Sequence, residues 1–186
     1  FAPNRNLPIH AFCHAIPDTW HQMGVILSAA SCLSWWAKAA RSNEKELLAE
    51  LGDAPERPSP LVFLPYLSGE RTPHNDPNIR GAFYGISHDT TRRDFTQAVL
   101  EGVAFAFKDC LAALTEAGTR IARADAIGGG SQSRYWLGVL SSVLNLPLSR
   151  LDGGEAGGAL GAARLGRMAA TGERADAVCR PPKRIE

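Results

Sequence analysis

Three consecutive glycines, Gly128 to Gly130, lie between a short strand-like run, residues 124–127, and a run of helical pattern, residues 131–145. Glycine reaches backbone angles closed to other residues and has no Cβ that would hold a ligand away. The N-terminus of the following helix would add unpaired N–H groups and the positive end of its dipole. The turn could therefore hold an anion or a sugar hydroxyl. The alternative is a tight corner that needs glycine only for its geometry, and the turn alone does not separate the two.

Two common nucleotide-binding motifs are excluded at this turn. No lysine in the chain is followed by serine or threonine, which rules out the G-x-x-x-x-G-K-[ST] phosphate loop. Ser133 stands where the dinucleotide-binding motif G-x-G-x-x-G requires its last glycine. The turn is instead similar to the adenosine-binding turn of the actin-like ATPases, in which apolar residues precede the glycines and a small polar residue follows them.

A second motif precedes the glycine turn. It consists of residues 81–86, seven further residues, and residues 94–101. This spacing resembles the second signature of the FGGY carbohydrate kinases, and every position of that pattern is filled. The flanking residues 28–35 and 64–75 resemble the xylulokinase branch of that family. Because the signature and the glycine turn occur in the expected order, the chain is identified as a member of the family from about His10 to Thr171.

The resemblance implies an α/β fold of the ribonuclease-H-like (actin-like ATPase) class, incomplete at both ends. Residues 1–172 would form the C-terminal kinase domain without its first strands, which leaves a free sheet edge, and residues 173–186 an irregular tail. In the family, the sugar lies mainly on the N-terminal domain and ATP lies in the cleft against the C-terminal one. The family's general base, an aspartate, and its phosphate-binding Gly-Thr loop fall outside these 186 residues. No catalytic residue is therefore expected within the chain.

The resemblance also implies which residues contact ATP. Gly129 and Ser133 match the positions that hold the nucleotide, and Gly128 and Gly130 supply backbone freedom around them. Mg²⁺ would be held mainly through ATP and through residues outside the chain, so no metal ligand is expected within it.

A second part of the ATP site is implied near the start of the chain. Ala30 and Ser34 match a helical segment that lines the adenine, with helix packing as the alternative for such small residues. The implied reaction transfers the γ-phosphoryl group of MgATP to a primary hydroxyl of D-xylulose and gives D-xylulose 5-phosphate. A carboxylate of the enzyme would take the hydroxyl proton.

Two alternatives for the function stay open. A related kinase that acts on another pentulose or on a polyol would carry the same motifs, since the sugar contacts lie outside the chain. A non-catalytic nucleotide-binding or interaction module would keep the fold without the chemistry. The expected partners are ATP, the sugar and the N-terminal domain of the same protein, and the resemblance leaves room for a homodimer.

Composition excludes several other classes. A net charge of +1 with 21% charged residues lacks the basic excess of a nucleic-acid-binding protein. Apolar stretches end well short of the ~20 residues that span a bilayer, and no secretory signal opens the chain. Four cysteines without framework spacing fit a reducing cytoplasm. His10, Cys13 and His14 are not expected to bind metal, because on a strand Cys13 points away from both histidines.

Apolar periodicity predicts the elements that must position these residues. Strands are expected over residues 9–15, 20–26, 61–64, 82–86, 124–127 and 148–151. Helices are expected over residues 28–41, 44–51, 91–117, 131–145 and 155–170. Glu101 lies in an apolar part of the longest helix and is expected to make a structural hydrogen bond rather than to act in catalysis.

Two further segments have two interpretations each. The polar loop of residues 68–80 carries Arg71, His74 and Asp76, which either face the cleft or belong to a solvated loop. In the last helix, small residues such as Gly158 and Gly161 favour close packing across a hinge, as in actin-like ATPases. The alternative is phosphate binding at the N-terminus of that helix, with the preceding glycines 153 and 154 near the phosphates.

Overall fold

The computed structural model describes residues 8–185. The strands in this range are β1 (His10–Cys13), β2 (Trp20–Met23), β3 (Val62–Leu64), β4 (Ala82–Tyr84), β5 (Ala124–Ala126), β6 (Leu148–Leu151) and β7 (Arg184–Ile185). The helices are α1 (Ala30–Ala39), α2 (Glu44–Leu51), α3 (Arg92–Glu116), α4 (Arg134–Leu144), α5 (Gly157–Thr171) and α6 (Ala175–Val178). None of the helices described here is both long and apolar enough to cross a lipid bilayer.

The strands form three small sheets. β1 and β2 make an antiparallel hairpin, and β3 and β4 pair antiparallel with Phe63 opposite Phe83. The third sheet has the order β5–β6–β7, in which β6 runs parallel to β5 and antiparallel to β7. Within residues 8–185 no strand pairs with the outer edge of β5, and Ile127, which follows this strand, is 57% exposed. Among the residues described, the outer edge of β5 is therefore a free sheet edge.

Helix α3 forms the centre of the fold. Its N-terminus is closed by a capping box, in which the Thr91 hydroxyl accepts from the Asp94 N–H and the Asp94 carboxylate accepts from the Thr91 N–H. The Thr91 hydroxyl also donates to the Asp94 carboxylate at 2.6 Å, and this bond, followed by that from the Thr91 N–H, lowers the pKa of Asp94. Val99, Leu100 and Val103 of α3 are fully buried among residues of α1, α2, α4 and β3. Burial of each such side chain contributes roughly 1.5–3 kcal/mol.

Two tryptophans attach neighbouring helices to α3. The indole Nε1–H of Trp36, in α1, donates to Thr96 Oγ1 at 2.9 Å, and that of Trp136, in α4, donates to the Leu100 carbonyl at 3.2 Å. Because an indole N–H buried without an acceptor is costly, these two hydrogen bonds fix the orientation of both rings.

Strand β3 lies very close to α3 at Gly102. A Cβ atom placed on Gly102 would stand 2.3 Å from the carbonyl oxygen of Phe63. The approach of the strand backbone to the helix therefore requires a residue without a side chain at this position.

The polar loop between β3 and β4 is tied to the rest of the protein through Glu70. The backbones of Glu70 and Asp76 exchange two hydrogen bonds of 2.9 Å. The buried Glu70 carboxylate accepts from the N–H groups of Leu27, at 3.0 Å, and Arg71, at 2.7 Å. The loop thus has a fixed path in spite of its polar composition.

All four cysteines are free thiols. Cys13 is exposed, whereas Cys32 and Cys110 are buried. Burial, with the nearby Glu70 carboxylate as a smaller cause, raises the pKa of both buried thiols to about 12. These two side chains therefore stay protonated at neutral pH.

Glu101 holds the segment that leads into β3. The N–H of Ser59 donates to both carboxylate oxygens, at 3.0 and 3.1 Å, and the side-chain amide of Gln97 donates to one of them at 2.7 Å. The structural hydrogen bond expected for Glu101 is therefore present.

Replacing Glu101 with alanine should lower the free energy of unfolding by about 1–3 kcal/mol, because it leaves the Ser59 and Gln97 donors without their acceptor. Thermal unfolding followed by circular dichroism measures this loss. Glu116→Ala, at the exposed end of the same helix, is the matched control and should leave the midpoint almost unchanged. Equal midpoints for the two variants would contradict the role given to Glu101.

Besides strands that are shorter than expected, such as β2, which ends at Met23 and not at residue 26, the structure departs from the expected elements at two places. The helix expected from residue 131 begins only at Arg134, because residues 129–132 form a 3₁₀ turn and Ser133 caps the α-helix. The tail expected to be irregular contains α6 and β7. β7 pairs with the edge of β6, and Arg184 donates to both oxygens of Asp125 at 2.7 and 2.8 Å. An available strand edge and a partner for Arg184 explain this order.

Candidate functional site

A cleft of about 880 Å³ is lined by α1, by α2 and by the glycine turn with the first residues of α4. An apolar cavity of about 380 Å³ adjoins it and contains residues of α3, α4 and β5. The two share Ala30, Gly129, Gly130 and Trp136. The glycine turn therefore lies between these two spaces.

The structure brings five of the six residues predicted to contact the nucleotide to this one cleft. These five are Ala30, Ser34, Gly129, Gly130 and Ser133. The two segments to which they belong are about 100 residues apart in the chain. The remaining residue of the six, Gly128, lines only the adjoining apolar cavity.

The three positions of the turn differ in whether the structure requires glycine there. Gly128 has a φ of +82°, a conformation that residues with a side chain rarely adopt. A Cβ on Gly130 would stand 3.1 Å from the ring of Trp136. A Cβ on Gly129 would meet nothing within 4 Å, and its φ is not in the left-handed region. The fold therefore requires glycine at 128 and favours it at 130, but leaves Gly129 free to face a ligand.

Ser133 has a structural role in addition to the predicted one. Its hydroxyl oxygen accepts a hydrogen bond from the Trp136 N–H at 3.2 Å and so caps helix α4. The Trp136 N–H is therefore satisfied within the chain and is not one of the unpaired N–H groups expected at this end of the helix.

Several charged side chains that the sequence analysis did not single out also line the cleft. They are Glu44, Lys45, Asp53, Arg134 and Arg150. Arg150 lies near the carboxyl end of β6, beside the strand that leads into the glycine turn. Ligands of α/β sheets bind at the carboxyl ends of parallel strands, so this rule could have identified it. Glu44 and Lys45 gave no such signal, because α2 has only the pattern of an amphipathic helix.

Ser34 of α1 and Glu44 of α2 both line the cleft. The Ser34 side chain is the main cause that lowers the pKa of Glu44, whose side chain is exposed. The Glu44 carboxylate is therefore ionised at neutral pH. Gln132, on the other side of the cleft lining, accepts a hydrogen bond from Arg150 at 2.9 Å.

The polar loop of residues 68–80 does not contribute to the lining described here. Arg71 Nη1 donates to His10 Nε2 at 2.8 Å, and His74 Nε2 is hydrogen-bonded to the Tyr66 hydroxyl at 2.9 Å. These hydrogen bonds fix two side chains of the loop to residues outside it, and a place of the loop at the cleft between the two domains stays a prediction.

The glycine-rich segment before α5 supports the turn. The Gly128 N–H donates to the Gly154 carbonyl at 3.1 Å, and Gly154 is buried. In α5 a Cβ on Gly158 or on Gly161 would meet nothing within 4 Å. Close packing of this helix against another element stays a prediction, since its small residues face open space in this chain.

Among the residues that the structure describes, no three His, Cys, Asp or Glu side chains lie together in a way that could hold a metal ion.

Comparisons with known proteins agree with the motifs. Residues 2–170 match the family model described as the C-terminal domain of the FGGY family of carbohydrate kinases. The chain is 46% identical over 167 residues to the xylulose kinase of Escherichia coli K12. The aligned residues cover 89% of this chain and 34% of that protein. The chain is 44% identical over 162 residues to the xylulose kinase of Klebsiella pneumoniae, covering 87% and 33%.

A solved structure gives the same result for the fold. The xyloylose kinase of Brucella ovis superimposes with a TM-score of 0.91 at 52% sequence identity, covering 100% of this chain and 38% of that one. The predicted α/β fold of the ribonuclease-H-like (actin-like ATPase) class is thereby confirmed. The chain spans about a third of the length of the curated relatives that it matches.

Proposed function

Because the chain belongs to the FGGY family of carbohydrate kinases, we propose that it is the ATP-binding part of a sugar kinase that phosphorylates D-xylulose to D-xylulose 5-phosphate. The relatives named as xylulose kinases support this substrate. The cleft itself carries the proposal for ATP. It joins the two distant segments, and it contains at Gly129 a glycine that neither backbone angle nor packing demands.

In this proposal the residues of the chain bind and orient the nucleotide. The adenosine lies between α1 and the glycine turn, near Ala30 and Ser34 on one side and Gly129 and Ser133 on the other. Mg²⁺ accompanies ATP and is held mainly through it. The carboxylate that takes the sugar hydroxyl proton and the groups that contact the sugar belong to the N-terminal domain. Phosphoryl transfer depends chiefly on such positioning and on charge stabilisation.

The substrate is tested with the chain joined to the N-terminal domain of its own protein. Coupled ADP release is measured with D-xylulose, D-ribulose, glycerol and gluconate. We expect the highest kcat/KM for D-xylulose. A preference for one of the others would assign a related pentulose, polyol or sugar-acid kinase. ADP release with none of them would favour a non-catalytic nucleotide-binding or interaction module.

Gly129→Val should raise the KM for ATP at least tenfold and leave the KM for the sugar unchanged, because a branched side chain would occupy the place of the nucleotide. The fold should tolerate it, since nothing lies within 4 Å of the added Cβ. Steady-state kinetics of the two-domain protein measure both constants. Gly166→Val, at another open glycine position but on α5, is the control. Unchanged constants in Gly129→Val would remove the turn from the ATP site.

The proposal includes a cytoplasmic location and ATP, D-xylulose and the N-terminal domain as partners. Four free thiols, none of them in a disulfide, support a reducing compartment. A homodimer is also part of the proposal and is tested by light scattering of the two-domain protein, for which we expect twice the mass of one chain.

A further inference from the structure

A buried carboxylate joins the polar loop to the segment that leads into α1. The Glu70 side chain is 2% exposed, and its Oε1 accepts from the Leu27 N–H at 3.0 Å. Thr72 exchanges two hydrogen bonds with Val25 of the same segment. The Thr72 N–H donates to the Val25 carbonyl at 2.9 Å, and the Val25 N–H donates to the Thr72 hydroxyl at 3.0 Å. The residues just before α1 are therefore held by residues 70–72 of the loop.

The N-terminus of α1 lacks the local residues that usually stabilise the start of a helix. Its N-cap residue is Ala29, whose side chain cannot accept a hydrogen bond, and none of residues 30–33 is acidic. A negative charge near a helix N-terminus is stabilising. The Glu70 carboxylate supplies that charge from the loop, and after burial it is the second cause that raises the pKa of Cys32 in the first turn of α1.

The second carboxylate oxygen of Glu70 has a different environment. Among the residues that the structure describes, none is hydrogen-bonded to Oε2, although this atom is buried as well. A buried carboxylate oxygen without a donor destabilises the folded state, so a neutral acceptor would fix the loop at a lower cost. Local departures from the rules of stability are expected mainly at functional sites. This buried acid therefore indicates a role beyond holding the loop.

We propose that Glu70 is a positioning residue for the nucleotide, which holds α1 in the place opposite the glycine turn that ATP requires. This inference rests on the proposed function, because it requires ATP in the cleft. Ala30 and Ser34 of α1 line the cleft, and Ala30 follows Leu27 by three residues. In the lining described above, no residue comes from the polar loop. Glu70 therefore acts through α1 and not by contact with the ligand.

Glu70→Ala should raise the KM for ATP about tenfold in the two-domain protein, because the Leu27 N–H loses its acceptor and α1 is released from the loop. The kcat and the KM for D-xylulose should stay close to those of the parent. Glu70→Gln should raise the KM for ATP by no more than about threefold, since its amide oxygen can still accept from the Leu27 N–H and only the charge is lost. Steady-state kinetics measure all three constants.

Glu101→Ala is the matched control. It also removes a carboxylate that accepts from a backbone N–H, that of Ser59, but Glu101 lies in α3 and does not line the cleft. Both alanine variants should unfold at a lower temperature than the parent, whereas only Glu70→Ala should have a raised KM for ATP. If Glu70 contributed to stability alone, the KM for ATP would equal that of the parent in both variants, and the inference would be overturned.

Hydrogen exchange on the parent decides the question if Glu70→Ala does not fold. Coupling between two sites is reciprocal, so ATP must in turn stabilise the contact between the loop and α1. Bound ATP should slow amide exchange at Arg71 and Asp76, whose N–H groups donate to the Glu70 carboxylate and carbonyl, respectively. The amide of Ser59, which donates to Glu101, is the internal reference. Exchange at Arg71 and Asp76 that ATP leaves unchanged would overturn the role of Glu70.

The outcomes separate this inference from the proposed function. An unchanged KM for ATP in Glu70→Ala, together with a raised one in Gly129→Val, would remove the role of Glu70 and leave the ATP site in place. Binding of no ATP to the parent would overturn both proposals.

Discussion

The chain by itself should release no measurable ADP in the presence of D-xylulose, whereas the same chain joined to its N-terminal domain should turn over at roughly 1–100 s⁻¹, as kinases do. The isolated chain offers one side of a nucleotide cleft and no residue that matches the family's general base. Holding two reactants in the correct relative orientation lowers the activation free energy by up to ~7–11 kcal/mol. A single domain cannot hold both, so a loss of at least about 10⁵-fold is expected.

Both proteins are assayed under the same conditions by the same coupled assay, with sugar omitted as the background. Calorimetry with ATP on the isolated chain distinguishes a folded but inert protein from a misfolded one, because a folded chain should still bind the nucleotide weakly. Turnover by the isolated chain that depends on D-xylulose would contradict the proposal that the catalytic base and the sugar contacts belong to the N-terminal domain. The comparison of the two proteins supports this proposal only if the two-domain protein is active.

Gly102→Ala should destabilise the fold strongly. The new Cβ would stand 2.3 Å from the Phe63 carbonyl oxygen, which is backbone and cannot rotate away as a side chain can. Strand β3 or helix α3 would have to move in the middle of the core. Overpacking of this kind costs about 3 kcal/mol, and each kcal/mol lowers the melting temperature of a domain of this size by roughly 2–4 °C.

Gly161→Ala is the matched control, since it adds the same methyl group in a helix where nothing lies within 4 Å. Alanine there should stabilise the protein by up to ~1 kcal/mol because it is the better helix former. The two variants should therefore change the free energy of unfolding in opposite directions. Urea unfolding of both measures the signs, and a Gly102→Ala variant as stable as the parent would show that the β3–α3 contact relaxes easily.

Much of the fold could be predicted from local patterns. The boundaries of α2 follow from the apolar spacing of residues 44–51 and from Gly52, whose φ of +82° ends the helix. The start of α3 follows from Thr91 and Asp94, which form a capping box in the structure. Such signals lie within a few residues of the feature that they specify, and the sequence therefore shows them directly.

Features that depend on distant residues could not be predicted in this way. The start of α4 at Arg134 rather than at 131 follows from the 3₁₀ turn of residues 129–132, in which Gly130 lies against the Trp136 ring. The pairing of β7 with β6 depends on a free strand edge about 35 residues earlier in the chain. Glu44 belongs to the candidate site because α2 packs beside α1 at the cleft. None of these contacts has a signature in the local sequence.

The two buried thiols can be used to detect local opening of the fold. With pKa values of about 12, Cys32 and Cys110 resist alkylating reagents in the folded protein, while the exposed Cys13 is accessible to them. The rate at which the two buried thiols are labelled would therefore measure how often α1 or α3 leaves the core. Above pH 9 the same thiols weaken the fold, because unfolded cysteines lose their protons near pH 9 and folded ones keep them until about pH 12. The time course of thiol labelling would then show how a partner domain or a nucleotide stabilises this part of the enzyme.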